Sequence, residues 1–269
     1  MMSIQEKALR GLPIDDMLII DAHDHLGRWA AFYVPQGGTI EQMIACMDRL
    51  GVDKVCITAM PSIGPDYLYG NNMVFSALQK YPDRVIGYVT VNPNYPENMQ
   101  QELDRCFAHP GFRGIKIHAE LHGRPIDDRD YRTAYEEAEK RNCPVLIHTW
   151  GDTDVDAFER VVRAYPNANF IMAHTGGDLS SMPRAITVLN KYDNAYGDLA
   201  VSFAPEGNLE WFIGQTDPKK ILFGSDMPFY DPTPTFGRIV LSHLPDSVKA
   251  DILGGNMARL LHLVQTQTD

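Results

Sequence analysis

Met17-Leu18-Ile19-Ile20-Asp21-Ala22-His23-Asp24-His25 joins a short apolar run to a polar tip with two histidines. A run of this length suits a buried parallel strand, predicted here over Leu18 to Ala22, with polar groups delivered at its C-terminal end. Side chains two apart on a strand share a face, so His23 and His25 present both imidazoles to one point. An isolated His-x-His is more often an incidental pair than a ligand pair. Recurrence decides between the two, because two neutral imidazoles alone do not hold a divalent cation tightly.

Working outward, seven more apolar runs follow: Lys54 to Ala59, Val85 to Val91, Gly114 to His118, Val145 to His148, Phe170 to His174, Ala195 to Leu199 and Ile221 to Gly224. Amphipathic segments separate them, and eight βα units close a barrel. The pattern predicts an α/β protein, a single-domain (β/α)8 TIM barrel over residues 1–269. Helix signals agree: Thr39 and Gln42 form a capping box for Ile40 to Leu50, and Gly51 sits where a C-cap belongs. Ser247 to Leu263 reads as two short helices broken at Gly254-Gly255, with Asn256 capping the second.

Bulk properties narrow the function. The 269 residues carry 24 Lys plus Arg against 35 Asp plus Glu, a net charge of -11 that repels polyanions. A small-molecule substrate is expected, with no nucleic-acid or membrane partner; a homodimer is left open. Cys46, Cys56, Cys106 and Cys143 form no C-x-x-C pair, which fits reduced thiols and a cytoplasmic location. The first residues have no apolar leader run, and no run reaches membrane-spanning length.

The other histidines give His23 and His25 their meaning. His118, His148 and His174 each end a predicted strand, and Asp226 follows the eighth, at the end of a barrel where enzymes place their chemistry. His23, His25, His148 and Asp226 make a mixed nitrogen and oxygen set for one divalent metal, with zinc the default and Mn, Fe, Co or Ni tolerable. A bound water made acidic would be the nucleophile, and Asp226 would carry its proton. His174 is assigned as a hydrogen-bond donor to a substrate carbonyl, with a second-metal role as the alternative. Lys116 and His118 point into the barrel if Ile115 and Ile117 face the helices. Lys116 then contacts substrate, or is carboxylated between two metals, or pairs with Asp21 or Asp198. Arg28, Trp29, Phe32 and Tyr33 follow His25, where Arg28 could grip a carboxylate, and Trp150 is a second candidate wall.

Asp-Ala-His-Asp-His, Gly-Ile-Lys-Ile-His, Val-Leu-Ile-His-Thr, Ile-Met-Ala-His-Thr-Gly-Gly, Leu-Phe-Gly-Ser-Asp-Met-Pro and Ile-Leu-Gly-Gly-Asn-Met-Ala-Arg-Leu-Leu, taken in order, resemble the amidohydrolase superfamily. The similarity is greatest to its amidohydrolase-2 branch of metal-dependent hydrolases, which also contains aminocarboxymuconate-semialdehyde decarboxylase and related non-oxidative decarboxylases. It implies a metal on His23, His25, His148 and Asp226, with His174 catalytic or on a second metal. The leading expectation is a metal-dependent hydrolase of a small ester, lactone or amide. The alternative is a metal-dependent non-oxidative decarboxylase of an unsaturated or aromatic carboxylic acid.

Overall fold

The computed structural model describes residues 2–29, 33–34, 37–200 and 205–263. Eight parallel strands follow one another in chain order: β1 (Ile20–Leu26), β2 (Lys54–Ala59), β3 (Val85–Thr90), β4 (Phe112–Ile117), β5 (Pro144–Ile147), β6 (Asn169–Met172), β7 (Ala195–Asp198) and β8 (Ile221–Leu222). The ring closes between its two ends. Ala22 N donates to Phe223 O at 2.9 Å, Asp226 N to His23 O at 2.8 Å and His25 N to Met227 O at 2.8 Å. The barrel is thus the predicted (β/α)8 fold, and every strand edge is paired.

Alternation sorts the side chains into two cores. Ile115, Ile117, Val145, Ile147, Phe170 and Met172 face outward into the layer shared with the helices. Ile20, Ala22, Cys56, Tyr88, Leu146 and Ile171 fill the barrel interior, with Met257, Ala258, Leu260 and Leu261 packed against them. Lys116 lies between two outward isoleucines, so it points inward as expected, fully buried.

Two differences from the sequence reading matter. Strand β1 starts later and runs on through both histidines to Leu26, so they lie within it. Its pairing with β2 slips between Asp21 and Asp24, where three steps along β1 match two along β2. This bulge reverses the alternation, and His23 and His25 face inward after Ile20 and Ala22 have done so. Second, Gly254-Gly255 does not break the last helix. The chain passes from Asp246–Ala250 through a wide π-turn, Asp251–Gly255, directly into Asn256–Leu260. Glycine is needed there for packing: a Cβ on Gly254 would lie 2.0 Å from the Leu18 carbonyl oxygen. Asn256, rather than capping, donates from Nδ2 to the carbonyls of Pro218 and Ile221.

Two short helices bear on the site. One, Ala119–His122, follows β4 at once. The other, Pro232–Val240, which the sequence reading did not include, follows the long loop after β8. Among the described residues, no helix is long and apolar enough to cross a membrane.

Candidate active site

The bulge brings His23 Nε2 and His25 Nε2 to 3.2 Å from each other. Asp226 Oδ1 lies 3.1 Å from His25 Nε2 and 3.9 Å from His23 Nε2. Asp226 reaches this position through a left-handed backbone (φ 62°), a strained conformation for a side chain other than glycine. The aspartates of the opening motif hold it there. Asp21 Oδ1 accepts from the backbone N–H groups of Ser225 and His23. Asp24 Oδ1 accepts from Ser225 Oγ and Met227 N. Burial raises Asp21 to about 7 and Asp24 well above the usual carboxylate range.

Behind the two imidazoles stand fixed partners. Asp198 Oδ2 meets His23 Nδ1 at 3.0 Å, and Thr58 Oγ1 meets His25 Nδ1 at 2.6 Å. Lys116 Nζ lies 2.9 Å from His23 Nε2, and burial lowers its pKa to about 8. Asp198 is itself pushed up to about 7 by burial, against the pull of its backbone donors and Lys116. Asp198 therefore serves His23 and not, as one sequence reading had it, an ion pair with Lys116.

On the opposite wall a second group forms. The rings of His118 and His148 stack with centroids 3.9 Å apart, and His148 Nε2 is 3.4 Å from Glu120 Oε2. His148 Nδ1 meets His174 Nε2 at 3.1 Å, and His174 Nδ1 meets the Ala200 carbonyl at 3.0 Å. A carbonyl only accepts, so Nδ1 of His174 carries its proton; burial lowers this ring to about 4, leaving it neutral with Nε2 as an acceptor. His148 accordingly donates from Nδ1. His174 and Thr175 adopt left-handed φ values of 60° and 50° in the turn that follows β6.

A pocket of about 320 Å³ lies between the two groups. His25, Asp226, His118, Glu120, His148 and His174 supply its polar surface, and Trp29, Trp150, Phe229 and Tyr230 its aromatic walls. A larger hollow of about 1120 Å³, bordered by Leu18, Asp53 and Lys54, opens at the far end of the strands, away from the histidines.

The expected site residues thus separate. His23, His25 and Asp226 come together, while His148 is grouped with His118 and Glu120. Trp150 and His118 line the pocket, and Lys116 sits beneath it. Arg28 does not line it: the side chain is exposed, with its guanidinium against Gly37. Tyr33 is also exposed, and Phe32 lies outside the described residues. Asp198, Thr58 and Glu120 are the additions. Asp198 and Thr58 obey the rule that found the histidines, being polar residues at strand ends that face inward; Glu120 follows His118 by two residues.

The first group suits a divalent cation by its chemistry. Two imidazole nitrogens and a carboxylate oxygen converge, and Asp226 Oδ1 is buried with no aligned hydrogen bond among the described residues. Such a donor set is that of zinc and related ions.

A family model described as Amidohydrolase matches residues 67–263. The chain is 26% identical over 244 residues to 2-amino-3-carboxymuconate-6-semialdehyde decarboxylase of Dictyostelium discoideum, covering 72% of this chain and 66% of that protein. It therefore spans just under two thirds of that relative's length. Among solved structures it resembles 5-carboxyvanillate decarboxylase of Sphingomonas paucimobilis (TM-score 0.74, 15% identity, 92% of this chain and 99% of that one). It also resembles the 5-carboxyvanillate decarboxylase of Novosphingobium aromaticivorans complexed with manganese and a nitrobenzoic acid (TM-score 0.76, 16% identity, 93% and 97%).

These relatives overturn the expectation of an ester, lactone or amide hydrolase, since the activity they share is decarboxylation. This is an enzyme with a barrel-mouth cluster of histidines and aspartate, and the chain belongs to the amidohydrolase family.

Proposed function

We propose that the protein is a metal-dependent, non-oxidative decarboxylase of an unsaturated or aromatic carboxylic acid. The observation that carries this reading is the pocket: flat aromatic walls from Trp29, Trp150, Phe229 and Tyr230 enclose a floor of histidine and carboxylate. A planar conjugated acid fits between rings that stack on its faces, with polar groups needed only along its edge. The decarboxylase activity of the 26% identical relative supports the same choice.

His23, His25 and Asp226 would hold the metal, zinc by donor type or manganese as in the Novosphingobium structure. When bound, a divalent ion orients the acid and draws electron density away from the carbon that loses CO2. The reaction exchanges one bond for another: the carbon–carboxylate bond breaks to CO2, and a proton takes its place. The row Glu120, His148 and His174 supplies a path for that proton. Glu120, with a side chain 70% exposed, meets solvent; His148 Nδ1 hands on to His174 Nε2, and His174 lines the pocket. A ring that holds its proton as weakly as His174 gives it up readily to a carbanion-like carbon.

The test is a panel of ortho-hydroxy and ortho-amino benzoates and conjugated dienoic acids, offered to the zinc- and manganese-loaded protein. CO2 release with loss of the acid's absorbance is expected, and in D2O one deuterium should appear at the vacated carbon. Bound metal with no CO2 from any member of the panel would count against the proposal.

A further inference from the structure

Asp198 ends β7 fully buried, and its two oxygens serve β1, the turn after β6 and the backbone just beyond β7 itself. Oδ2 meets His23 Nδ1 at 3.0 Å, while Oδ1 accepts from the backbone N–H groups of His174 at 2.8 Å and Ala200 at 3.0 Å. The Asp198 carbonyl also accepts from Thr175 Oγ1. One residue thus grips both the first imidazole of the opening motif and the left-handed turn that carries His174.

The proton on His23 can be placed from the groups around the ring. Asp198 already accepts two backbone N–H groups at Oδ1, and its other carboxylate oxygen meets Nδ1, so Nδ1 is the nitrogen that donates. Nε2 is left with its lone pair on the side where Lys116 Nζ lies at 2.9 Å and His25 Nε2 at 3.2 Å. We propose that Asp198 is a positioning residue that fixes His23 as the Nδ1–H tautomer, with the Nε2 lone pair aimed at the metal centre, and couples that orientation to the His174 turn. The proposal rests on the metal reading above for its consequence, but the tautomer is a property of the chain alone.

Asp198→Asn separates orientation from packing. Its amide has one oxygen to offer, and two backbone N–H groups claim it, so the NH2 turns to His23 Nδ1. A donor there drives the ring proton to Nε2, and an N–H then points where the lone pair stood. Partners that orient a ligating histidine are typically worth about 10–100-fold in metal affinity.

The experiment is a long-range ¹H–¹⁵N correlation spectrum of the full chain, metal-free and zinc-loaded, with the His23 signal assigned by its loss in His23→Gln. The expected result is Nδ1–H in the wild type, Nε2–H in metal-free Asp198→Asn, and a zinc affinity about 10–100-fold weaker in the variant by chelator competition. An Nε2–H wild type overturns the proposal, as does a variant that keeps the wild-type tautomer or binds zinc as tightly. Should the variant not fold, the wild-type spectrum still decides the tautomer. A wild type with Nδ1–H that binds neither zinc nor manganese upholds the tautomer and sinks the metal reading instead.

Discussion

Two groups of histidine and carboxylate face each other across the pocket, and they differ in what stands behind them. His23 and His25 each have a buried polar partner at Nδ1, Asp198 and Thr58, so both rings are held with Nε2 toward Asp226. His148 instead leans on other imidazoles, stacked on His118 and joined through Nδ1 to His174, while among the described residues His118 Nδ1 is buried with no partner and Glu120 is largely exposed. A cation needs ligands fixed from behind, because the geometry must exist before the ion arrives. Groups that handle protons and substrate need freedom on one side and access to solvent. The barrel supplies the first on the β1 and β8 side and the second on the β4 and β5 side.

The largest effect should come from removing the fixed group. His23→Ala and Asp226→Ala are expected to lose bound metal and, with it, several kcal/mol of transition-state stabilisation, about 10³-fold or more in kcat/KM. Elemental analysis beside a CO2 assay reads both. If either variant keeps a full equivalent of metal, the comparison between the groups has no basis.

Next in size is the second group. His148→Ala should keep its metal and lose about 10²–10⁴-fold in kcat, the range for a proton-handling side chain. Glu120→Gln should cost less, since water can meet His148 from the solvent side. If His148→Ala loses metal as fully as His23→Ala, then His148 belongs to the metal's ligands, as the sequence reading had it, and the division shifts by one residue.

Much of this arrangement could be read from strand ends. The barrel, the inward aim of Lys116 and the convergence of His23, His25 and Asp226 follow from alternation and from the rule that chemistry gathers at the C-terminal ends. The β1 bulge could not be read, because it is a slip of register against β2, and no single strand records its partner. Arg28 was misplaced for a related reason: the loop after β1 sets its direction, and loop shape is a tertiary property. Asp198 and Thr58 were visible as strand-end polar residues, but their roles depend on which ring nitrogen they meet. Glu120 gave only a spacing from His118, on a helix of one turn.

The smallest effect concerns the support of the second group. His122, which ends the Ala119–His122 helix, meets Tyr131 Oη through Nδ1 at 2.8 Å, and burial lowers its pKa from 6.5 to about 4. Because the folded ring binds its proton less well than the unfolded one, its contribution is complete above pH 6.5 and is lost as pH falls toward 4. At about 1.36 kcal/mol per unit, wild type should lose about 2–3 kcal/mol more than His122→Gln between pH 7 and 4. Asp21 and Asp198, raised to about 7, act in the opposite direction over this range, gaining protons in the folded state. They are common to both proteins and cancel in the difference. Urea denaturation at a series of pH values measures it, and parallel pH curves for the two proteins would show that burial of His122 does not tether the Ala119–His122 helix, leaving Glu120 to be placed by its own contacts.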